Sequence, residues 1–95
     1  MLKVVTRCIV KEEKIPEFKA LAARLIVVTR KEKGCIGYTL CQDVREERAF
    51  SFIEEWRDGE ALAAHMKSKH FNEIVALLNA MQEGETVAHV YREVR

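Results

Sequence analysis

The sequence predicts an α+β protein in the ferredoxin-like order β-α-β-β-α-β, as a single domain over residues 1–95. Four segments alternate apolar and polar residues with the period of a strand. Two other stretches space their apolar residues three and four apart, as amphipathic helices do. A length of 95 residues predicts one domain, without room for a second within this sequence.

The first strand is expected over residues 2–10 and the first helix over about 15–33. One face of the strand consists of Leu2, Val4, Thr6, Cys8 and Val10. Pro16 suits the start of the helix, where its missing N–H costs little. A basic tail precedes Gly34, which is expected to cap the helix C-terminus.

A hairpin follows, with strands predicted over 35–43 and 49–56 and a charged turn over 45–48. Gly37 indicates a bulge or a close backbone approach. Asp58 is a candidate N-cap for a short helix, and a second helical stretch follows residues 68–70. Gly84 is expected to end that stretch, and the last strand is expected over 86–94.

The predicted sheet has apolar side chains on both faces, although helices in this order cover only one. Val5, Ile9, Val87 and Tyr91 oppose the other apolar residues of their strands. An uncovered apolar face indicates an interaction surface. The sequence therefore predicts a homodimer with two sheets packed face to face, the alternative being a monomer with a mixed outer face.

Composition excludes several classes of function. A net charge of +1 argues against a nucleic-acid partner and a polybasic membrane anchor. No apolar run approaches the roughly 18 residues of a membrane span, and early charges interrupt any export signal, so a cytoplasmic location is expected. The three cysteines are odd in number, lack C-x-x-C spacing and are interpreted as small buried hydrophobic residues, a reactive thiol being the alternative.

No metal or cofactor is expected. His65 and His70 are five residues apart, which is not the spacing of a zinc-binding pair on one helix face. The sequence also lacks a phosphate loop and a dinucleotide-binding fingerprint.

The candidate site combines Glu54 and Trp56 on one strand face with His65 on the following helix. An indole beside an imidazole can bound a pocket for a flat organic molecule, and the imidazole can move a proton near neutral pH. Tyr38 on the neighbouring strand would add a hydroxyl. The alternatives are structural: Trp56 as core filler, His65 in helix packing and Glu54 as a hydrogen-bonded carboxylate.

Four further residues have two interpretations each. Tyr38 is either a site residue or an interface aromatic, and Arg7 is either a substrate anchor or half of an intersubunit ion pair. His70 is a cap or a pocket-rim residue, and His89 belongs to the surface or an interface rather than to catalysis.

These residues carry a family resemblance that covers almost the whole chain. The segments 34–38 (GCIGY) and 52–58 (FIEEWRD), then His65, Ser68 and the pair His70-Phe71, resemble the antibiotic biosynthesis monooxygenase family of dimeric α+β barrels. The resemblance implies a cofactor-independent oxygenase that oxidises a quinol or phenol with molecular oxygen. It also implies His65 as the base, a pocket walled by Trp56 and Phe52, Glu54 orienting a partner and Tyr38 touching the substrate.

Two other branches share the architecture. The haem-degrading branch is disfavoured because no His follows Phe71 in the second helical stretch and Arg7 stands in the region of that branch's Asn. The autoinducer-2 processing branch, an isomerase of a phosphorylated dione, remains an alternative, with Arg7, Lys67 and Lys69 as available cations. A non-catalytic dimer that binds a small ligand is the third hypothesis.

Overall fold

The chain forms the predicted four strands and helical layer, and the computed structural model describes residues 1–95. As predicted, a short helix and a second helix follow the hairpin, and the element order is that of the ferredoxin-like α+β fold. In chain order the elements are β1 (Leu2–Val10), α1 (Ile15–Thr29), β2 (Cys35–Gln42), β3 (Ala49–Trp56), α2 (Gly59–Lys67), α3 (Lys69–Asn79) and β4 (Gln82–Arg92). No helix of the chain is long and apolar enough to cross a membrane.

The four strands form one antiparallel sheet in the order β2-β3-β1-β4. Its register aligns one row across all strands: Tyr38 lies opposite Glu54, Glu54 opposite Val4, and Val4 opposite Val90. The helices cover the face that carries this row, which we call the inner face. Phe18 and Leu25 of α1 and Leu78 of α3 are buried against it.

The opposite, outer face of the sheet is uncovered. Ile53, Val87 and Tyr91 are 42–52% exposed on it, which confirms the predicted apolar side chains on both faces. Tyr38 is 2% exposed and lies in the core under the helices, so its interpretation as an interface aromatic is wrong.

Helix α1 ends at Thr29, four residues before the predicted end. Arg30 is its C-cap, and the backbone then tightens into turns in which the N–H of Glu32 donates to the carbonyl of Thr29. Gly34 is therefore not the helix cap that the sequence predicts; it ends this turn segment at φ +86°, a conformation that favours glycine. A Cβ there would lie 2.5 Å from the Cβ of Ala61, so the segment packs closely on α2. The early end of α1 releases Glu32 from the helix.

Gly84 does not end a helix, contrary to the prediction. It lies inside β4 at φ +72°, beside a register shift between β1 and β4 at Arg7 and Ile9. The glycine therefore serves a strand irregularity, and β4 runs from Gln82 to Arg92 instead of 86–94.

Strand β2 has the predicted irregularity, because its pairing with β3 shifts between Cys35 and Gly37. A Cβ at Gly37 would meet nothing closer than 3.9 Å, so no close approach requires this glycine. Cys8 is buried and Cys35 is intermediate. Cys41 is exposed, so its interpretation as a buried hydrophobic residue is wrong.

Candidate functional site

A cavity of about 260 Å³ lies between the inner sheet face and helices α2 and α3. Twelve of its 18 lining residues are hydrophobic, and no lysine or arginine is among them. Four of the predicted site residues line it: Tyr38, Phe52, Glu54 and His65. Such an apolar recess with a few polar groups is typical of a site for a small organic molecule.

His65 is held in the cavity wall by α2. Asp58 begins this helix by accepting a hydrogen bond from the N–H of Ala61, as predicted. Ala61 and His65 are one turn apart and form the buried side of α2. His65 is 1% exposed, and its ring packs 4.7 Å from that of Trp56 and 4.8 Å from that of Phe71.

The two ring nitrogens of His65 have different partners. Nδ1 lies 2.7 Å from Oε2 of Glu32, and Nε2 is buried without a hydrogen-bond partner. A carboxylate at Nδ1 favours the tautomer with its proton on Nδ1, which leaves a lone pair on Nε2. Burial lowers the pKa of His65, opposed by the charge and hydrogen bond of Glu32, so the imidazole is neutral near pH 7.

Glu32 joins a second histidine to the first. Its Oε2 also lies 2.7 Å from Nε2 of His70. His70 comes close because Ser68 separates α2 from α3, accepting from the N–H of Phe71 and donating to the carbonyl of His65. The break redirects the chain, so two histidines five residues apart meet at one carboxylate.

Glu54 is a second buried carboxylate in the cavity wall, 6% exposed. Its Oε1 accepts a hydrogen bond of 2.9 Å from Nε1 of Trp56. Burial raises the pKa of Glu54 to about 7, Trp56 opposes this rise, and the charge of Glu32 adds to it. Glu54 can therefore hold or release a proton near neutral pH.

Tyr38 on β2 lies opposite Glu54 of β3, and the centroid of its ring is 5.3 Å from the centroid of the His65 ring. Burial, with the charges of Glu54 and Glu32, raises the pKa of its phenol. The hydroxyl thus stays protonated at neutral pH and can donate a hydrogen bond.

Three predicted site residues do not line the cavity. Trp56 is fully buried behind His65 and holds Glu54. His70 bonds to Glu32 and Ser68. Arg7 alternates with the inner-face residues of β1 and lies on the outer face, 3.4 Å from Asp43, so its interpretation as a substrate anchor in this cavity is wrong.

Sequence reasoning missed Glu32, which contacts both histidines. It stands in a run of charged residues (RKEKG) assigned to the helix end, and nothing in that run distinguishes it. Its position depends on where α1 unwinds. The donor atoms of Glu32, His65 and His70 all lie within 4.8 Å of one another, a grouping that the five-residue spacing did not suggest.

Comparison with known proteins finds a family and its fold. The model of the antibiotic biosynthesis monooxygenase family matches residues 1–77. An uncharacterised protein of Synechocystis is 41% identical over 66 residues, which are 70% of this chain and 45% of that protein. The chain thus spans less than half the length of that relative. YcnE of Bacillus subtilis, which carries a provisional monooxygenase name, is 39% identical over 67 residues, 70% of each protein.

A solved structure described as an antibiotic biosynthesis monooxygenase superimposes over the full length of both chains. The TM-score is 0.94 and the sequence identity is 36%.

Proposed function

Because the chain belongs to the antibiotic biosynthesis monooxygenase family, we propose that it oxidises a quinol or phenol with molecular oxygen, using His65 as the general base. The proposal rests on the hydrogen bonding of the two ring nitrogens of His65. Its Nδ1 is held by Glu32, and its buried Nε2 has no partner within the chain. Buried polar atoms are rarely left unpaired, so a substrate hydroxyl is a fitting partner for Nε2.

The cavity suits a flat, partly apolar molecule. Its lining is mainly hydrophobic, and Tyr38 and Phe52 pack with ring centroids 5.6 Å apart. The lack of a lysine or arginine in the lining is unfavourable for a phosphorylated dione, because phosphate recognition needs cations or several N–H donors. The oxygenase is therefore favoured over the isomerase.

The chemistry follows from the proton that His65 removes. Deprotonation turns a quinol into an anion, which reduces oxygen more readily than the neutral molecule does. In the overall reaction one atom of molecular oxygen becomes bound to a ring carbon, the other is released as water, and the substrate supplies all four electrons. Tyr38 donates to a substrate oxygen, and Glu54 exchanges a proton with the product, since its pKa of about 7 suits both directions.

The test is oxygen uptake by chelator-treated protein with a panel of quinols and phenols. We expect His65→Ala to reduce uptake by about 100-fold or more, the usual contribution of a general base. His89→Ala is the matched control, because His89 lies on the outer face opposite Val5. Mass spectrometry with isotopically labelled oxygen should find one labelled atom in the product.

Two results would contradict the proposal. If oxygen uptake is no faster than autoxidation with every compound, the proposed oxygenase activity is refuted. If His65→Ala and His89→Ala lose the same fraction of the uptake rate, the role of His65 as the base is refuted. Binding of a panel compound without turnover would favour the ligand-binding hypothesis.

We further propose that two copies pair through their outer sheet faces. Ile53, Val87 and Tyr91 are each about half exposed there, an arrangement that favours burial against a second sheet. Sedimentation of the wild type should give a dimer, and Ile53→Asp should give a folded monomer. A wild-type monomer at micromolar concentration would refute the pairing.

A further inference from the structure

Three metal-binding side chains converge where the turn after α1 meets the break between α2 and α3. The donor atoms are Oε2 of Glu32, Nδ1 of His65 and Nε2 of His70, and the oxygen lies 2.7 Å from each nitrogen. Two imidazole nitrogens and one carboxylate are a set that zinc uses where its fourth position stays open.

A small movement would convert this cluster into a metal site. Ligands about 2.1 Å from a tetrahedral zinc ion are about 3.4 Å apart, so the oxygen of Glu32 would withdraw by about 0.7 Å from each nitrogen. The two nitrogens, which lie within 4.8 Å of each other, would come to about the same 3.4 Å by rotation of the more exposed His70 ring. Glu32 lies in the turn that follows Thr29, outside any helix, so its carboxylate can shift without moving α1. The proton that each neutral imidazole now directs at the carboxylate would move to its other ring nitrogen, because zinc takes the lone pair of a neutral imidazole.

The cluster also has a route to solvent. The side chain of His70 is 24% exposed and that of Glu32 is 16% exposed, whereas His65 is 1% exposed. An ion can therefore enter from the side of His70, and a water molecule can take the fourth position. His65 would bind the same ion from the cavity wall, so the cluster adjoins the cavity.

We propose that Glu32, His65 and His70 bind a zinc ion that switches off His65 as a base. Zinc on Nδ1 leaves the imidazole proton on Nε2, and this nitrogen then cannot accept a proton from substrate. Zinc binding depends only on the geometry of the cluster, whereas inhibition of oxygen uptake by zinc rests on the proposed function.

Binding is measured by titrating zinc into chelator-treated full-length protein, with cobalt absorption as a second readout. All proteins carry Cys41→Ser, which removes the exposed thiol as a competing ligand. We expect one zinc per chain, and at least about 10-fold weaker binding in His70→Ala and in Glu32→Gln. His89→Ala is the matched control and should bind zinc as tightly as its parent.

Inhibition is measured separately, as oxygen uptake with and without zinc. We expect zinc to abolish uptake by the parent protein and to leave the rate of His70→Ala close to its own zinc-free rate. No zinc binding, or equal binding in the parent and His70→Ala, would overturn the proposal. Bound zinc with undiminished uptake would overturn the inhibition. Variant-dependent binding without any turnover would uphold the site and refute the proposed function instead.

Discussion

Neighbouring side chains of strand β3 meet opposite environments. Phe52 and Glu54 point to the inner face and are 8% and 6% exposed, whereas Ile53 is 42% exposed on the outer face. Glu55 also lies on the outer face, 3.6 Å from Lys3. Two adjacent glutamates of one strand therefore behave differently. The pKa of Glu54 is about 7, whereas Glu55 forms a surface ion pair. Strand parity, more than residue type, therefore decides which side chains of β3 reach the candidate site.

The sharpest test of this contrast truncates adjacent apolar residues. Phe52→Ala should lower the free energy of unfolding by about 3–5 kcal/mol, because it removes a buried ring from the core. Ile53→Ala should cost less than about 1 kcal/mol in the monomer, since its side chain is already half in water.

Urea unfolding of both variants at low protein concentration measures the difference. Equal costs would contradict the different burial of the two faces. A cost for Ile53→Ala that grows with protein concentration would show that the outer face is buried between copies.

The second test uses the two carboxylates of the same strand. The pKa of Glu54 is about 7 in the folded chain and 4.5 is its ordinary value, so the folded state binds more protons between these pH values. The stability due to the protonated group is complete below pH 4.5 and is lost as pH rises through 7. Glu54→Gln should remove this loss and be more stable than wild type by about 2–3 kcal/mol at pH 8.

The matched variant is Glu55→Gln, whose ion pair with Lys3 is exposed and should contribute less than about 1 kcal/mol. Thermal unfolding from pH 4.5 to 8 compares both variants with wild type. A flat wild-type profile would contradict the buried, titrating state of Glu54.

The smallest expected difference in the free energy of unfolding is between variants of two glycines with positive φ. Gly34→Ala should cost about 2 kcal/mol or more, because its Cβ would lie 2.5 Å from the Cβ of Ala61 in addition to the conformational strain. Gly84→Ala should cost only about 1 kcal/mol, since nothing lies within 4 Å of its added Cβ. Unfolding by guanidinium chloride ranks the two, and a larger cost for Gly84→Ala would reverse the expected order.

Much of the fold could be predicted from period-two and helical patterns. The bounds of β1 and β3 match because regular alternation depends on local sequence, and the capping role of Asp58 is equally local. Gly84 was misassigned because a positive φ serves both a helix end and a strand irregularity. Only the pairing of β4 with β1 decides between them.

The candidate site was less predictable because it depends on three-dimensional placement. The alternation of side chains along β3 correctly predicted that Phe52, Glu54 and Trp56 lie on one face. The cavity extends toward β1 and β4, however, so Trp56 packs against His65 and does not line the cavity. Glu32 entered the site only because α1 ends early. The five-residue spacing of His65 and His70 argues only against a zinc pair on one helix face, whereas the two side chains meet from different helices across the break at Ser68.

The single-residue junction at Ser68 constrains how this chain can change in length. Ser68 is at once the C-cap of α2 and the N-cap of α3. One inserted residue in the first turn of α3 would turn His70 by about 100° around the helix axis, away from Glu32. Insertions and deletions should therefore be absent between His65 and Phe71 wherever the two-histidine cluster is retained, while the turn between β2 and β3 is free to vary. Chain length at this junction would then be inherited as strictly as the histidines themselves.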